Sequence, residues 1–367
     1  MRTIFLNGKF TAQRTTGVQR AAGCIVGALD RLLEADVAAR SVQWVLLCPP
    51  GGAMPVLRHI KCHVVGLRRT SLHVWEQVCL PWASRGGLLV SLAGSAPLLK
   101  RRQVCTFHDA AVFDVPEAHT RVFGAWYRFL FRRIGRRAAL LLTVSAFSRD
   151  RLVARVGIAP ERVAILQESG EHMLPIEAHA GTLQRLGLRV GGYFVAVGSA
   201  NPAKNFVALL KAVAGLPARF DGRLVVIGGV NRGVFAAGDA PVAGDRIVQA
   251  GAVSDAELKA LYQSALALVF PSVYEGFGLP PLEAMACACP VAASNAASIP
   301  QVCGDAALYF DPHAVDAIGA AMMRLHDESA LRDELRRRGA QRVKAFSWEA
   351  AARVLVERVM PMAEAGA

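Results

Sequence analysis

Residues 271–294 read PSVYEGFGLPPLEAMACACPVAAS. They start where the apolar run Leu266–Phe270 ends, pass through Gly276 and Gly278, and enter a helix-forming stretch through Pro280 and Pro281. Proline is tolerated in a first helical turn, because the amide it lacks would be unpaired there anyway. Glycines just ahead of a helix N-terminus let the backbone approach an anion, whose charge the amides and the helix dipole stabilise. A helix is expected from about Pro281, and the apolar run Pro290–Ala293 predicts the next strand. Buried strand, glycine loop, helix and strand make one unit of a parallel α/β sheet with a diphosphate-type loop at its edge.

Two carboxylates bracket the loop, Glu275 ahead of it and Glu283 in the first helical turns, with seven residues between them. The loop keeps them from forming an acid–base dyad on one helix face. They suit the two ends of a ligand whose middle is a diphosphate, since a carboxylate accepts two hydrogen bonds from a vicinal diol of a ribose or a hexose. The plain alternative is a helix start with acidic residues set there for the dipole. The paired glycines, paired prolines and following strand favour the ligand site.

Working outward, strand-length runs of Val, Ile and Leu alternate with amphipathic segments along the whole chain. In the first half, strands are expected at Thr3–Asn7, Val42–Leu47, His63–Leu67, Leu88–Leu92, Gln103–Phe107, Leu140–Val144 and Arg162–Leu166, with helices over Val18–Leu33 and Arg121–Arg137. Residues 168–191 lack a strand period and read as a linker. A second alternation follows: strands Tyr193–Val197, Leu224–Ile227, Arg246–Ala250 and Leu266–Phe270, with helices Asn205–Ala214 and Ala256–Ser264. From Pro312 the chain is largely helical. The fold class is therefore α/β, with two Rossmann-like, doubly wound parallel-sheet domains at residues 1–175 and 185–345. A C-terminal helix, 346–367, is expected to pack back towards the first domain. Ligands of such sheets bind at the strand C-termini.

EGFGLPPLEAM, with the CPVAAS that follows it, resembles the donor-site signature of family-4 glycosyltransferases, retaining enzymes of the GT-B fold whose two domains face a central cleft. The resemblance implies that Glu275 meets sugar hydroxyls, Glu283 the ribose, and the amides of Gly276, Phe277, Gly278 and Leu279 the distal phosphate. One departure is Cys289 before Pro290, where the family usually has glycine. In VGSANPAKNF, Lys204 and Asn205 match the family's basic strand–loop–helix motif, although Ala203 replaces its arginine. A diphosphate leaving group needs fixed positive charge where its negative charge grows, and Lys204 supplies it. Gly17 in NGKFTAQRTTGVQR resembles the glycine that lets the first loop approach the donor phosphates. His108, followed by Asp109, resembles the histidine expected near the transferred sugar. Bland readings remain for each: a solvated lysine, a turn glycine, a structural strand-end histidine. Catalytic roles are assigned to His108, Lys204 and Glu275.

The resemblance further implies transfer of a hexose from a nucleotide sugar to a saccharide or lipid-linked acceptor. PPLEAM leans towards mannose from a GDP donor, in the assembly of capsule, exopolysaccharide or lipopolysaccharide. The chain contains no Asp-x-Asp pair, so no metal and no cofactor are expected. A nucleotide-sugar epimerase or hydrolase of the same fold is the first rival.

The formal net charge is +13, and residues 1–180 hold 24 Lys/Arg against 12 Asp/Glu. Projected on a helix, Arg121, Arg128, Arg132 and Arg136 form one stripe, with Phe123, Trp126, Tyr127, Leu130, Phe131 and Ile134 opposite. Two readings stand: an ordinary surface helix with its apolar side in the core, or an arginine face that rests on an anionic membrane or grips a lipid-linked acceptor. A basic nucleic-acid-binding protein is the second rival, but no aromatic–basic RNA motif or helix-turn-helix pattern occurs, and no nucleic-acid partner is expected. No apolar run reaches the roughly 18–20 residues of a membrane span, and the N-terminus lacks a secretory layout. With eight scattered cysteines, this predicts a cytoplasmic protein, peripheral on the inner membrane face.

Overall fold

The computed structural model describes residues 2–199, 201–228 and 246–364. The chain divides into two compact units. Within the described residues, the first comprises 2–114, 121–168 and 348–364, and the second 115–120 and 169–347.

The first unit is built on a seven-stranded sheet. Its strands are β1 (Thr3–Asn7), β2 (Gln43–Cys48), β3 (Lys61–Val64), β4 (Leu88–Ser91), β5 (Gln103–Thr106), β6 (Leu140–Thr143) and β7 (Val163–Ile165). They lie in the order β3-β2-β1-β4-β5-β6-β7, all parallel. Strands β4, β5 and β6 are buried throughout, as strands covered on both faces must be. The edge strand β3 is largely exposed and starts two residues earlier than its apolar residues suggest. The helix Gly17–Ala35 packs against the helix Trp348–Glu364 in this unit. The carbonyls of Met362 and Ala363, near the end of that last helix, accept from the Arg102 guanidinium at 3.1 Å each.

The helix Arg121–Arg137 corrects its sequence projection. Its core-facing side carries Gly124, Leu130, Phe131, Ile134 and Gly135. A Cβ on Gly135 would sit 2.7 Å from Val156 Cγ1 and 3.0 Å from Ile158 Cδ1, so that glycine is where the helix touches its neighbours. Leu130, Phe131 and Ile134 face the core as projected, but glycines carry no hydrophobic signal, so the projection missed Gly124 and Gly135 on that side. Phe123 and Trp126, expected in the core, are exposed beside Val122 and Phe129. Arg121, Arg132 and Arg136 are exposed, whereas Arg128 turns inward to donate to the carbonyl of Val112 (3.0 Å).

The second unit has a six-stranded parallel sheet of β8 (Tyr193–Val197), β9 (Arg223–Ile227), β10 (Ile247–Gly251), β11 (Ala267–Phe270), β12 (Val291–Ser294) and β13 (Leu308–Phe310). Their order is β10-β9-β8-β11-β12-β13. Its core gathers Phe194, Phe206, Phe220, Val226, Val269, Ile318, Met322 and Leu335. The unit's long segment begins at Ser169, inside the stretch read as a linker. Ser169 is buried and donates to Phe346 O at 3.0 Å, and Met173 and Thr182 are buried too. That stretch lacks strand period because it packs as short helical turns, Glu171–Met173 and Thr182–Arg185.

Candidate active site

In the second sheet the connections run outward from β8 in one direction and from β11 in the other, so β8 and β11 are neighbours at the switch point. Loops leaving the two strands there diverge and leave room for a ligand. Residues 198–205 follow β8, and residues 271–278 follow β11. Asn205, in left-handed backbone at φ 55°, ties them together. Its amide nitrogen donates to Pro271 O (3.2 Å) and to Pro312 O (2.7 Å), and Val273 N–H donates to Ala203 O (2.9 Å). Asn205 thus acts as the clamp that shapes the loops. Ala203 is buried beneath them, which suits alanine where the resemblance led to an arginine.

The clamp brings Lys204 to Glu275, with Nζ 2.7 Å from Oε1. The ammonium also lies 5.7 Å from the centre of the Phe270 ring. Lys204 and Glu275 keep 24% and 12% of their side-chain surface open. A pair this accessible contributes about 0–1 kcal/mol, so a stronger anion can displace the carboxylate from the lysine at little cost.

Beyond Glu275 the loop is held by Ser298, which is fully buried and shares its hydroxyl hydrogen between the carbonyls of Glu275 (2.9 Å) and Phe277 (2.8 Å). In a trans peptide the C=O and the next N–H point in opposite directions. Pinning those two carbonyls therefore turns the amides of Gly276 and Gly278 away from Ser298, towards one side. Gly278 has φ 110°, which an L side chain rarely adopts. The helix Leu279–Ala286 starts directly after it, earlier than expected, with Pro280 and Pro281 in its first turn. Those prolines offer no amide, so anion donors at this helix start come from the loop before it. Phe277 is buried edge-on against Phe346 (5.7 Å) and anchors the loop.

Glu283, also buried, faces another partner. Its Oε1 is 3.1 Å from His172 Nε2, while His172 Nδ1 lies 3.2 Å from Ser169 O. Gly170 makes this approach feasible, since a Cβ there would stand 2.4 Å from Leu282 O. Glu275 and Glu283 therefore sit at opposite ends of the glycine loop with separate basic neighbours. Burial, reinforced by the charge of Glu283, pushes the Tyr262 phenol well above its ordinary value.

The remaining expected residues belong to the first unit. Gly17 is the first residue of its helix, next to Thr16, whose N–H donates to Gln19 Oε1 at 3.3 Å. His108 follows β5, with Nδ1 3.1 Å from Glu168 Oε1 and Nε2 2.9 Å from Leu92 O. Burial alone would lower its pKa, but the bond to Glu168, that carboxylate's charge, the Leu92 carbonyl and Asp109 outweigh burial and raise it. The Leu92 carbonyl only accepts, and a carboxylate at Nδ1 favours the protonated ring, in which both nitrogens donate. Sequence reasoning missed Glu168, His172 and Ser298. A carboxylate placed just after an apolar strand run was a usable signal for Glu168; nothing in the sequence marked the other two.

Residues 191–342 match the family described as glycosyl transferases group 1, and residues 81–167 match glycosyltransferase family 4. The O-antigen chain mannosyltransferase B of Escherichia coli is 34% identical over 262 residues, covering 68% of this chain and 67% of that protein. The chain belongs to the group-1, family-4 glycosyltransferases. A second relative of this glycosyltransferase, the MMP alpha-(1->4)-mannosyltransferase of Mycolicibacterium hassiacum, is 32% identical over 62% of the chain and 56% of its own length. Sucrose-phosphate synthase from Thermosynechococcus elongatus superposes on the transferase with a TM-score of 0.76 at 19% identity, covering 100% of both chains, which shows the shared GT-B fold. Among the described residues, no helix is long and apolar enough to cross a membrane.

Proposed function

We propose that this glycosyltransferase moves a mannose-type hexose, with GDP-mannose the expected donor, onto a saccharide or lipid-linked acceptor in surface polysaccharide assembly. The transfer retains anomeric configuration and uses no metal ion. The observation that carries the reading is the Lys204–Glu275 pair at the switch point of the second sheet. When the donor's diphosphate enters, Lys204 exchanges the carboxylate for phosphate oxygens. Glu275 is then released to accept from hexose hydroxyls. The amides that Ser298 orients take the distal phosphate, and Glu283 accepts from the ribose. As the bond to the anomeric carbon breaks, charge grows on the phosphate oxygen beside a fixed ammonium and fixed amide dipoles, the arrangement that lowers such barriers most. The neutralising charge in this reading is the ammonium of Lys204.

The test is turnover of GDP-mannose with synthetic lipid-linked saccharides. Lys204→Ala and Glu275→Ala should each lower kcat about 100–1000-fold, and EDTA should leave the wild-type rate unchanged. An EDTA loss restored by magnesium overturns the metal-free part, and product without any acceptor favours an epimerase or hydrolase. The exposed Val122 and Phe129 beside Arg121, Arg132 and Arg136 support a membrane-surface setting. Binding to phosphatidylglycerol vesicles should weaken as salt rises, at about 1 kcal/mol per engaged arginine.

A further inference from the structure

The first sheet has its own switch point, between β1 and β4. There, a charged network is buried that the donor chemistry does not use. Lys9 Nζ is 2.8 Å from Glu76 Oε2 and 3.1 Å from Ser95 Oγ. Glu76 Oε1 accepts from Ser95 Oγ at 2.7 Å and from Asn7 Nδ2 at 3.2 Å. Lys9 and Glu76 are 3% and 1% exposed. A buried ion pair seldom stabilises a fold better than apolar side chains of the same volume, so its presence calls for a function.

Glu76 stands on an irregular turn. Between the helical segments Leu72–Val74 and Leu80–Ala83, residues Trp75–Cys79 form one π-helical turn, in which Leu80 N–H donates to the carbonyl of Trp75, five residues back. Such a turn costs helix geometry and recurs at functional sites. It opens on a cavity of about 380 Å³ lined by His73, Glu76, Gln77, Ser95, Trp126 and Tyr127, a size within the ~300–1,000 Å³ usual for small-ligand sites. Two aromatic rings thus face a carboxylate and a hydroxyl, and Trp126 keeps 41% of its surface open.

We propose that this cavity is the binding site for a neutral sugar ring of the acceptor, stacked on Trp126 and hydrogen-bonded to Glu76. The inference rests on the transferase reading above. A phosphate is disfavoured because the cavity wall carries the Glu76 carboxylate and no lysine or arginine. An acyl chain is disfavoured because His73, Glu76, Gln77 and Ser95 line the cavity beside Leu130 and the two rings. A ring with apolar C–H faces and hydroxyl edges satisfies both kinds of wall.

The test is saturation-transfer NMR on the intact chain with methyl α-mannoside, mannobiose and diacetylchitobiose as probes, and with GDP as a control for the second unit. The wild type should transfer saturation to the ring protons of at least one sugar. Trp126→Ala, a substitution at a half-open position, should reduce that signal at least fivefold with GDP binding unchanged. Lys9→Met combined with Glu76→Gln removes both charges, so that neither is left buried alone, and should have the same effect. Should the double variant not fold by circular dichroism, Trp126→Ala and Ser95→Ala decide the matter. In the transfer assay Trp126→Ala should raise the acceptor KM at least tenfold, with kcat and the donor KM within twofold of wild type. A sugar signal absent from the wild type, or unchanged in folded variants, overturns the proposal, as does turnover with an unchanged acceptor KM. Loss of the sugar signal in the variants, with no GDP-mannose turnover by the wild type, would leave the pocket standing and the transfer reading fallen.

Discussion

Each sheet carries a lysine–glutamate pair at its switch point, and the two pairs are built in opposite ways. Lys9–Glu76 in the first unit is sealed, with side-chain exposures of 4% and 2%. Lys204–Glu275 in the second keeps 24% and 12%. A sealed pair is fixed in place, because its charges are screened from solvent and held further by Ser95 and Asn7. An open pair is exchangeable, because solvent and ligand compete for both of its ends. The charge balance of the units differs as sharply. The sequence segments of the first unit hold 26 Lys/Arg and 12 Asp/Glu, whereas those of the second hold 16 and 17. The unit proposed to hold the diphosphate is thus nearly neutral and relies on one aimed ammonium and fixed amides. Bulk positive charge lies on the other unit, where the membrane surface and acceptor are proposed to bind.

The largest expected effect tests the sealed pair. Lys9→Met alone leaves Glu76 buried without its cation and should cost about 3–5 kcal/mol of stability. The matching Lys204→Met should cost under about 1 kcal/mol while abolishing most turnover. Equal losses in thermal or denaturant melts would erase the distinction between the pairs. Next comes Gly278→Ala. A Cβ there has space, with its nearest neighbour, Ile299 Cγ1, at 4.0 Å, so the cost is backbone strain at φ 110°. A loss of about 1–2 kcal/mol and weaker GDP binding by calorimetry are expected; an unchanged affinity would mean that the loop does not cradle the diphosphate. The smallest effect is one of pH. The raised His108 pKa means that the folded state holds its proton more tightly than the unfolded chain does. The stabilisation is full below the unfolded value of about 6.5 and is lost as pH rises through the higher folded value. The melting advantage of wild type over Glu168→Gln should shrink by about 2 °C between pH 6 and pH 9. A constant gap would mean that the ring is not held as a cation.

The parts of the molecule legible in advance are those whose burial imposes a pattern. Strands β4, β5, β6, β8 and β11 lie inside their sheets, and their mostly apolar runs predicted them to within a residue. Strand β3 sits at an edge and β13 spans only Leu308–Phe310, so neither writes a comparable run. At the glycine loop, residue types with no substitute, such as Gly278 in left-handed backbone, were readable. Side chains that act through distant partners were not. Ser298 reaches back more than twenty residues to the Glu275 carbonyl, and His172 meets Glu283 across 111 positions. The helix Arg121–Arg137 was legible in its bounds and in Leu130, Phe131 and Ile134, but Phe123 and Trp126 were misplaced because the contact side is made partly by glycines, whose lack of a side chain is what permits the contact.

One connection orders events during synthesis. The first unit is completed by the helix Trp348–Glu364, laid against the helix Gly17–Ala35 near the chain's start. The strands β8 to β13 lie between these two helices in the sequence, so the second sheet is synthesised before the helix that completes the first unit. The flank of Gly17–Ala35 that this helix covers therefore stays open until the second sheet has been made.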